Sequence, residues 1–147
     1  MIIGIAGLGW LGKPLAAKLK TLGHTVKGTA TSLQKATSLQ QKGYNAFPLE
    51  ITETGVNGEP QAFLENLEVL IIMIPPGLRR NTGADYVLKM TRFLAEIEMA
   101  KVPKCIFISS TSVYGDEQGT VTETDVPKPE NEAGRQLKQV EQLFFTA

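Results

Sequence analysis

The chain has 147 residues, 42% of them hydrophobic and 20% charged, with 15 Lys+Arg balanced by 15 Asp+Glu. This is one globular domain's worth of sequence, large enough for a core, and the neutral balance excludes the basic surface that a nucleic acid or an anionic membrane selects. Apolar runs are too short to span a bilayer, no secretory leader is read at the start, and a single cysteine, Cys105, excludes an internal disulfide framework, so a cytoplasmic setting is expected.

Met1 to Ala6 is an apolar run that breaks into Gly7-Leu8-Gly9-Trp10-Leu11-Gly12 before Lys13 to Leu19 turns helical. A strand, three glycines at G-x-G-x-x-G spacing and a helix form the opening of a dinucleotide-binding βαβ unit. One glycine makes the tight turn, one lets the backbone approach a pyrophosphate, and one lets helix and strand pack closely. Unpaired N–H groups at the helix start then hold the phosphate charge. A ligand-free strand–turn–helix joint is the alternative reading of the same residues.

Leu22-Gly23 stops the helix, and His24 to Thr29 reads as a second strand. Ser32 can cap a polar helix that runs to about Lys42 and ends at Gly43. Tyr44 to Leu49 is a short third strand, Gln61 to Leu64 a weak helix, and Val69 to Ile74 the strongest strand in the chain, broken by Pro75-Pro76-Gly77. From Tyr86 to Ala100 apolar residues recur at helical spacing. Pro103 precedes a fifth strand, Lys104 to Ser109, in which Cys105 reads as a buried thiol, and the tail from Glu132 to Phe145 is helical. Apolar strands alternating with helices predict a parallel sheet covered on both faces. Right-handed crossovers with a switch point beside the first strand give a Rossmann-type, three-layer αβα domain over 1–147 with strand order 3-2-1-4-5.

The end of the second strand usually carries the group that reads the adenosine ribose, and an acid there favours NAD. Here Thr29-Ala30-Thr31-Ser32-Leu33-Gln34-Lys35 contains no acid. Thr29, Thr31, Ser32 and Lys35 are therefore candidates to hold a 2′-phosphate, with NADP preferred over NAD; equally, Thr31 and Ser32 can serve as helix caps, and one set of N–H groups can do both. Glu50 and Ile51 follow the third strand, where adenine lies, and Glu50 can accept from its amino group or be a solvated loop carboxylate. Ile74 and Pro75 close the fourth strand over the expected second ribose.

Ser109-Ser110-Thr111-Ser112-Val113-Tyr114-Gly115 leaves the fifth strand at the same edge, and Glu123-Thr124-Asp125-Val126-Pro127 follows. These segments resemble the S-S-x-x-V-Y-G and E-x-x-x-P loops of the extended short-chain dehydrogenase/reductase superfamily. That family's G-x-x-G-x-x-G falls on Ala6, Gly9 and Gly12, with Ala6 replacing a glycine and Trp10 at the usual aromatic position. The resemblance spans essentially the whole chain. It implies that Ser110 polarises a reacting oxygen, that Thr111 neighbours it in a pocket for a small-molecule substrate, and that Tyr114 is structural.

Family catalysis uses a tyrosine with a lysine four residues later, the cation drawing a phenol of pKa about 10 toward working pH. With Glu141 aligned to the family's glutamate, Ala133 and Leu137 occupy those two positions, and Lys138 is turned by about 100° from the required face. Arg135 is the other cation nearby. The pattern resembles an atypical subgroup named as epimerase/dehydratase relatives. It implies an NAD(P)-dependent oxidoreductase or nucleotide-sugar epimerase/dehydratase-like protein; the alternative is a non-catalytic dinucleotide-sensing or regulatory module. A third reading, a hydroxyacid dehydrogenase with a helical C-terminal domain, fits the glycine turn but not the Ser110 to Gly115 segment. In the family a sixth strand and a substrate lobe follow, so a truncated or shortened member is expected, with homo-oligomerisation through the fifth strand's edge or the last helix as the expected cover.

Overall fold

The computed structural model describes residues 1–75, 85–110, 114–115, 118–129 and 132–145, the last stretch without the side chains of 132 and 133. In chain order the elements are β1 (Ile2–Ala6), α1 (Gly12–Thr21), β2 (Thr25–Ala30), α2 (Leu33–Gln41), β3 (Ala46–Ile51), β4 (Val56–Gly58), α3 (Pro60–Leu64), β5 (Val69–Ile72), α4 (Tyr86–Ala100), β6 (Cys105–Phe107) and α5 (Glu132–Phe145). They build one sheet of order β4-β3-β2-β1-β5-β6. All pairs are parallel except β3–β4. The predicted 3-2-1-4-5 order is present, with β1 at its switch point. β4 was not foreseen, because three residues with a single apolar side chain carry no readable alternation.

Each sheet face packs on its own set of helices. Ile5, Leu8, Ala16, Ala36, Leu39 and Ala46 form the core under α1 and α2. The larger core on the other face joins Phe63, Leu70, Ile72, Tyr86, Met90, Phe93, Leu137 and Val140. Local chemistry marks the helix ends. Ser32 Oγ accepts from Lys35 N–H, Asp85 caps α4 through Leu88 N–H, and Gly23 and Gly43 take positive φ just past α1 and α2.

Among the described residues, β6 pairs in the sheet with β5 alone. Its Phe107 stacks on Phe144 of α5 at 5.5 Å, while Ile106 and Ile108 on the other face stay exposed. Cys105 is exposed as well, which corrects the buried-thiol expectation. An apolar neighbourhood in sequence buries a strand residue only where a second strand or helix covers it, and here the edge position removes that cover.

Candidate dinucleotide site

The glycine turn joins β1 to α1 at the carboxyl edge of the sheet. Gly7 has φ +113°, and a Cβ there would stand 2.9 Å from the backbone Met73 O, just past the end of β5. A Cβ on Gly12 would lie 2.1 Å from Gly7 O, so only glycine lets the helix start this close to the strand end. Gly9 differs from both: a Cβ there meets nothing within 4 Å. The first glycine shapes the turn, the third lets the helix in, and the middle one faces open space that a ligand can enter.

Two residues hold this turn from below. Thr29 is 3% exposed, its Oγ1 accepts from Gly7 N–H at 2.9 Å, and its carbonyl accepts from Leu8 N–H at 2.9 Å. Leu8 is buried with its side chain over Gly28, where a Cβ would come within 2.5 Å of it. Thr29, a candidate for cofactor contact, thus faces inward as a support, and so does Leu8 of the glycine turn. Trp10 and Leu11 project outward, Trp10 at 87% exposure.

Among the described residues the N–H groups of Gly9, Trp10, Leu11 and Gly12 have no backbone acceptor. The cap residue Leu11 offers no side-chain hydrogen bond, and no acidic side chain stands in the first turn of α1. Orphan donors in partial positive potential over an open glycine are what a pyrophosphate requires.

Beside the turn, a cleft of about 440 Å³ is lined by Thr31, Ser32, Leu33, Pro48, Leu49, Glu50, Asn57, Gly58 and Glu59. The structure therefore brings Thr31, Ser32 and Glu50 together, although Glu50 lies 18 positions after Ser32 in the chain. Lys35 reaches back one helical turn to place Nζ 3.2 Å from Thr31 Oγ1. Ile51 points to the opposite face and packs on the larger core. Asn57 and Glu59 went unnoticed in the sequence because the hairpin that brings them here was not legible.

On the other side of the switch point, the Ile74 carbonyl accepts from Tyr86 Oη at 2.5 Å, and Pro75 is exposed. Burial pushes the Tyr86 phenol well above its ordinary value. Ile108 N–H donates to Ile72 O at 2.9 Å, which carries Ser110 to the same edge two residues further on, where it is exposed. Ser109 Oγ is buried without a hydrogen-bond partner among the described residues. Thr111, and Pro76 of the proline pair, lie outside the described residues.

Tyr114 Oη donates to Thr122 O at 3.2 Å, and Gln118 Oε1 accepts from Gly115 N–H and Lys128 N–H, so the loop after β6 is tied to itself. Lys138 Nζ donates to Pro127 O at 3.0 Å. Leu137 is buried in the core. No group of His, Cys, Asp and Glu among the described residues is arranged to hold a metal ion, and no described helix is long and apolar enough to cross a membrane.

A parallel doubly wound sheet with this turn at its switch point defines a dinucleotide-binding Rossmann domain. The chain belongs to the family described as the NAD binding domain of 6-phosphogluconate dehydrogenase, whose model matches residues 2–122. Protein YeeZ of Escherichia coli strain K12 is 35% identical over 141 residues, covering 95% of this chain and 51% of that protein. The chain thus spans about half the length of the curated relatives it matches.

Among solved structures, a short-chain dehydrogenase/reductase superfamily protein from Agrobacterium tumefaciens with bound NAD superposes with a TM-score of 0.76 at 23% identity, over 98% of this chain and 44% of that one. UDP-glucuronic acid 4-epimerase from Bacillus cereus in complex with NAD gives 0.75 at 22% identity, over 99% and 51%. These two likenesses are of fold. The matching family is not the one that the Ser110 to Gly115 segment resembles; the two share the NAD-binding Rossmann architecture.

Proposed function

We propose that this chain is the dinucleotide-binding domain of an NAD(P)-dependent oxidoreductase or nucleotide-sugar epimerase/dehydratase-like protein of the atypical short-chain dehydrogenase type. The observation that carries this reading is the glycine turn, in which Gly7 and Gly12 are sterically required while the space over Gly9 is open. The bound group supplies hydride chemistry; this chain's part is to seat the pyrophosphate on the turn's N–H groups and the adenosine in the neighbouring cleft. Ser110, with Thr111 beside it in sequence, is assigned to polarise a substrate oxygen at the same edge. The substrate class is an unidentified small molecule read by the remainder of the longer protein.

NADP is the preferred form in this proposal. Its support is the absence of a carboxylate from Thr29 to Lys35 and the Lys35 ammonium held beside Thr31. Calorimetry with NADP+ and NAD+ tests it, with Gly9→Val as the non-binding control. NADP+ is expected to bind more tightly. Equal or tighter NAD+ binding overturns the preference, and no binding of either overturns the domain's assignment.

A second reading, a dinucleotide-sensing module without turnover, is favoured by one observation. Leu137 stands where the resemblance reserves a lysine, and it is 4% exposed, inside the core. Nicotinamide reduction with alcohol or sugar-nucleotide substrates by a protein that binds the dinucleotide separates the two.

A further inference from the structure

The balanced charge of the chain conceals a segregation. Residues 1–49 hold six lysines and not one Asp or Glu; all 15 acids come later. The two helices on one face of the sheet therefore carry positive charge alone, Lys13, Lys18 and Lys20 on α1 and Lys35 on α2, with Lys42 at the end of α2. Lys27 turns to the opposite face, where Nζ donates to the Ala62 and Glu65 carbonyls.

On this acid-free face a cavity of about 280 Å³ opens between α1, β2 and the segment that joins α2 to β3. α1 packs on β1 and β2, and α2 on β2 and β3. The side chains that meet the gap between them are too small to close it. Ala16 and Ala17 of α1 line it, with Val26 and Gly28 of β2. Gly28 cannot be larger, because a Cβ there would stand 2.5 Å from the Leu8 side chain. A Cβ on Gly43, at φ +95°, would meet nothing within 4 Å.

The polar part of the lining comes from Lys20, one helical turn on from Ala16, and from Tyr44 and Asn45. Among the described residues, these three side chains take part in no hydrogen bond or ion pair, and no carboxylate lines the cavity. The cavity lies on the face of the sheet, away from the carboxyl edge that holds the dinucleotide cleft. It touches the glycine turn at Leu8.

An ammonium that only donates, a phenol and an amide beside an apolar hollow select an acceptor group joined to an apolar body. The volume is close to the lower end of small-molecule pockets, about 300–1,000 Å³, which suits a body the size of one aromatic ring. Half-buried Tyr44 offers that ring a face to pack against. Lys20 sits in the last turn of α1, and Gly43 directly follows the end of α2. The partial negative charge of two helix carboxyl ends disfavours a dianion such as phosphate and leaves a singly charged group as the better fit.

We propose that this cavity is a second small-molecule site, distinct from the dinucleotide site, that takes a monocarboxylate with a compact apolar or aromatic body. Lys20 pairs with the carboxylate, and Ala16, Ala17, Val26 and Gly28 receive the body.

The test is an amide NMR titration of the full chain with benzoate, and with benzyl alcohol as the uncharged counterpart. Benzoate at millimolar concentration is expected to move the Gly28, Gly43 and Asn45 amides saturably. Benzyl alcohol is expected to bind about fivefold more weakly, the difference that one solvent-facing ion pair supplies. Lys20→Gln should weaken benzoate by about the same factor and leave benzyl alcohol unchanged. Ala17→Leu keeps a good helix former at an exposed position while filling the cavity, so it should abolish binding of both probes and preserve the fold. Absence of saturable shifts at those three amides overturns the proposal, as does benzoate binding that either variant leaves unmoved. Displacement of benzoate by NADP+ would put the anion on the glycine turn instead and overturn it equally.

Discussion

The three glycines of the turn can be separated by experiment, because the structure gives each a different surrounding. In Gly12→Ala the new methyl must occupy a point 2.1 Å from Gly7 O, 3.1 Å from Gly7 C and 3.4 Å from Ile5 Cγ2. Two of these neighbours are backbone, so relief requires α1 to move away from β1 rather than a rotamer change. Overpacking of this kind costs about 1–3 kcal/mol, and a backbone obstacle puts the substitution at the upper end. At about 2–4 °C per kcal/mol for a domain of this size, the melting temperature should fall by roughly 6–12 °C. Gly9→Ala meets nothing within 4 Å and is not at positive φ, so its stability should stay within about 0.5 kcal/mol of wild type. Its methyl nevertheless fills the space over the turn, and dinucleotide affinity should fall by more than about tenfold, as it does when a filled space costs 1.4 kcal/mol. Thermal melts by circular dichroism and calorimetric titration, run on both variants, supply the readouts. A Gly12→Ala protein melting with wild type, or a Gly9→Ala protein binding like wild type, would refute the assignment of roles.

Thr29→Val leaves the Gly7 N–H without its acceptor and should cost about 1–3 kcal/mol in urea unfolding, with weaker dinucleotide binding, whereas Thr29→Ser should retain both; equal losses in the two variants would count against the hydrogen bond. Tyr86→Phe removes the bond to Ile74 O and should cost about 0.5–1.5 kcal/mol at neutral pH. Burial raises the Tyr86 pKa above its ordinary 10.0, so the stability it lends is complete below pH 10 and is lost as pH rises beyond that, when the unfolded chain ionises first. The gap between wild type and Tyr86→Phe in urea melts should therefore narrow above pH 10, and a constant gap would contradict the burial argument. Lys35→Ala should bring NADP+ affinity down to that of NAD+ while leaving NAD+ itself unchanged; loss of both would assign Lys35 to structure. The exposed edge of β6, with Ile106 and Ile108 uncovered, is proposed as a self-association surface, and a dilute, well-behaved monomer in light scattering would dismiss it.

The order of strands and the turn were legible from residue pattern alone. Apolar runs of four to six residues separated by helical periodicity leave few topologies open once crossovers must be right-handed, and a glycine triplet between strand and helix states its own geometry. Even the caps were readable, since Ser32 and Gly43 act through bonds within a few residues of themselves. Tertiary structure decided what sequence distance hides. Thr29 looks like a ribose contact by position, yet its hydroxyl is committed to Gly7, 22 residues away. Cys105 sits in an apolar segment but lies on an edge strand, so its exposure depends on which elements cover it. Asn57 enters the site only because a three-residue strand folds back on β3 to set it opposite Glu50. Local bonding is encoded within a turn or two of the chain, whereas the direction a side chain faces depends on its partners across the sheet.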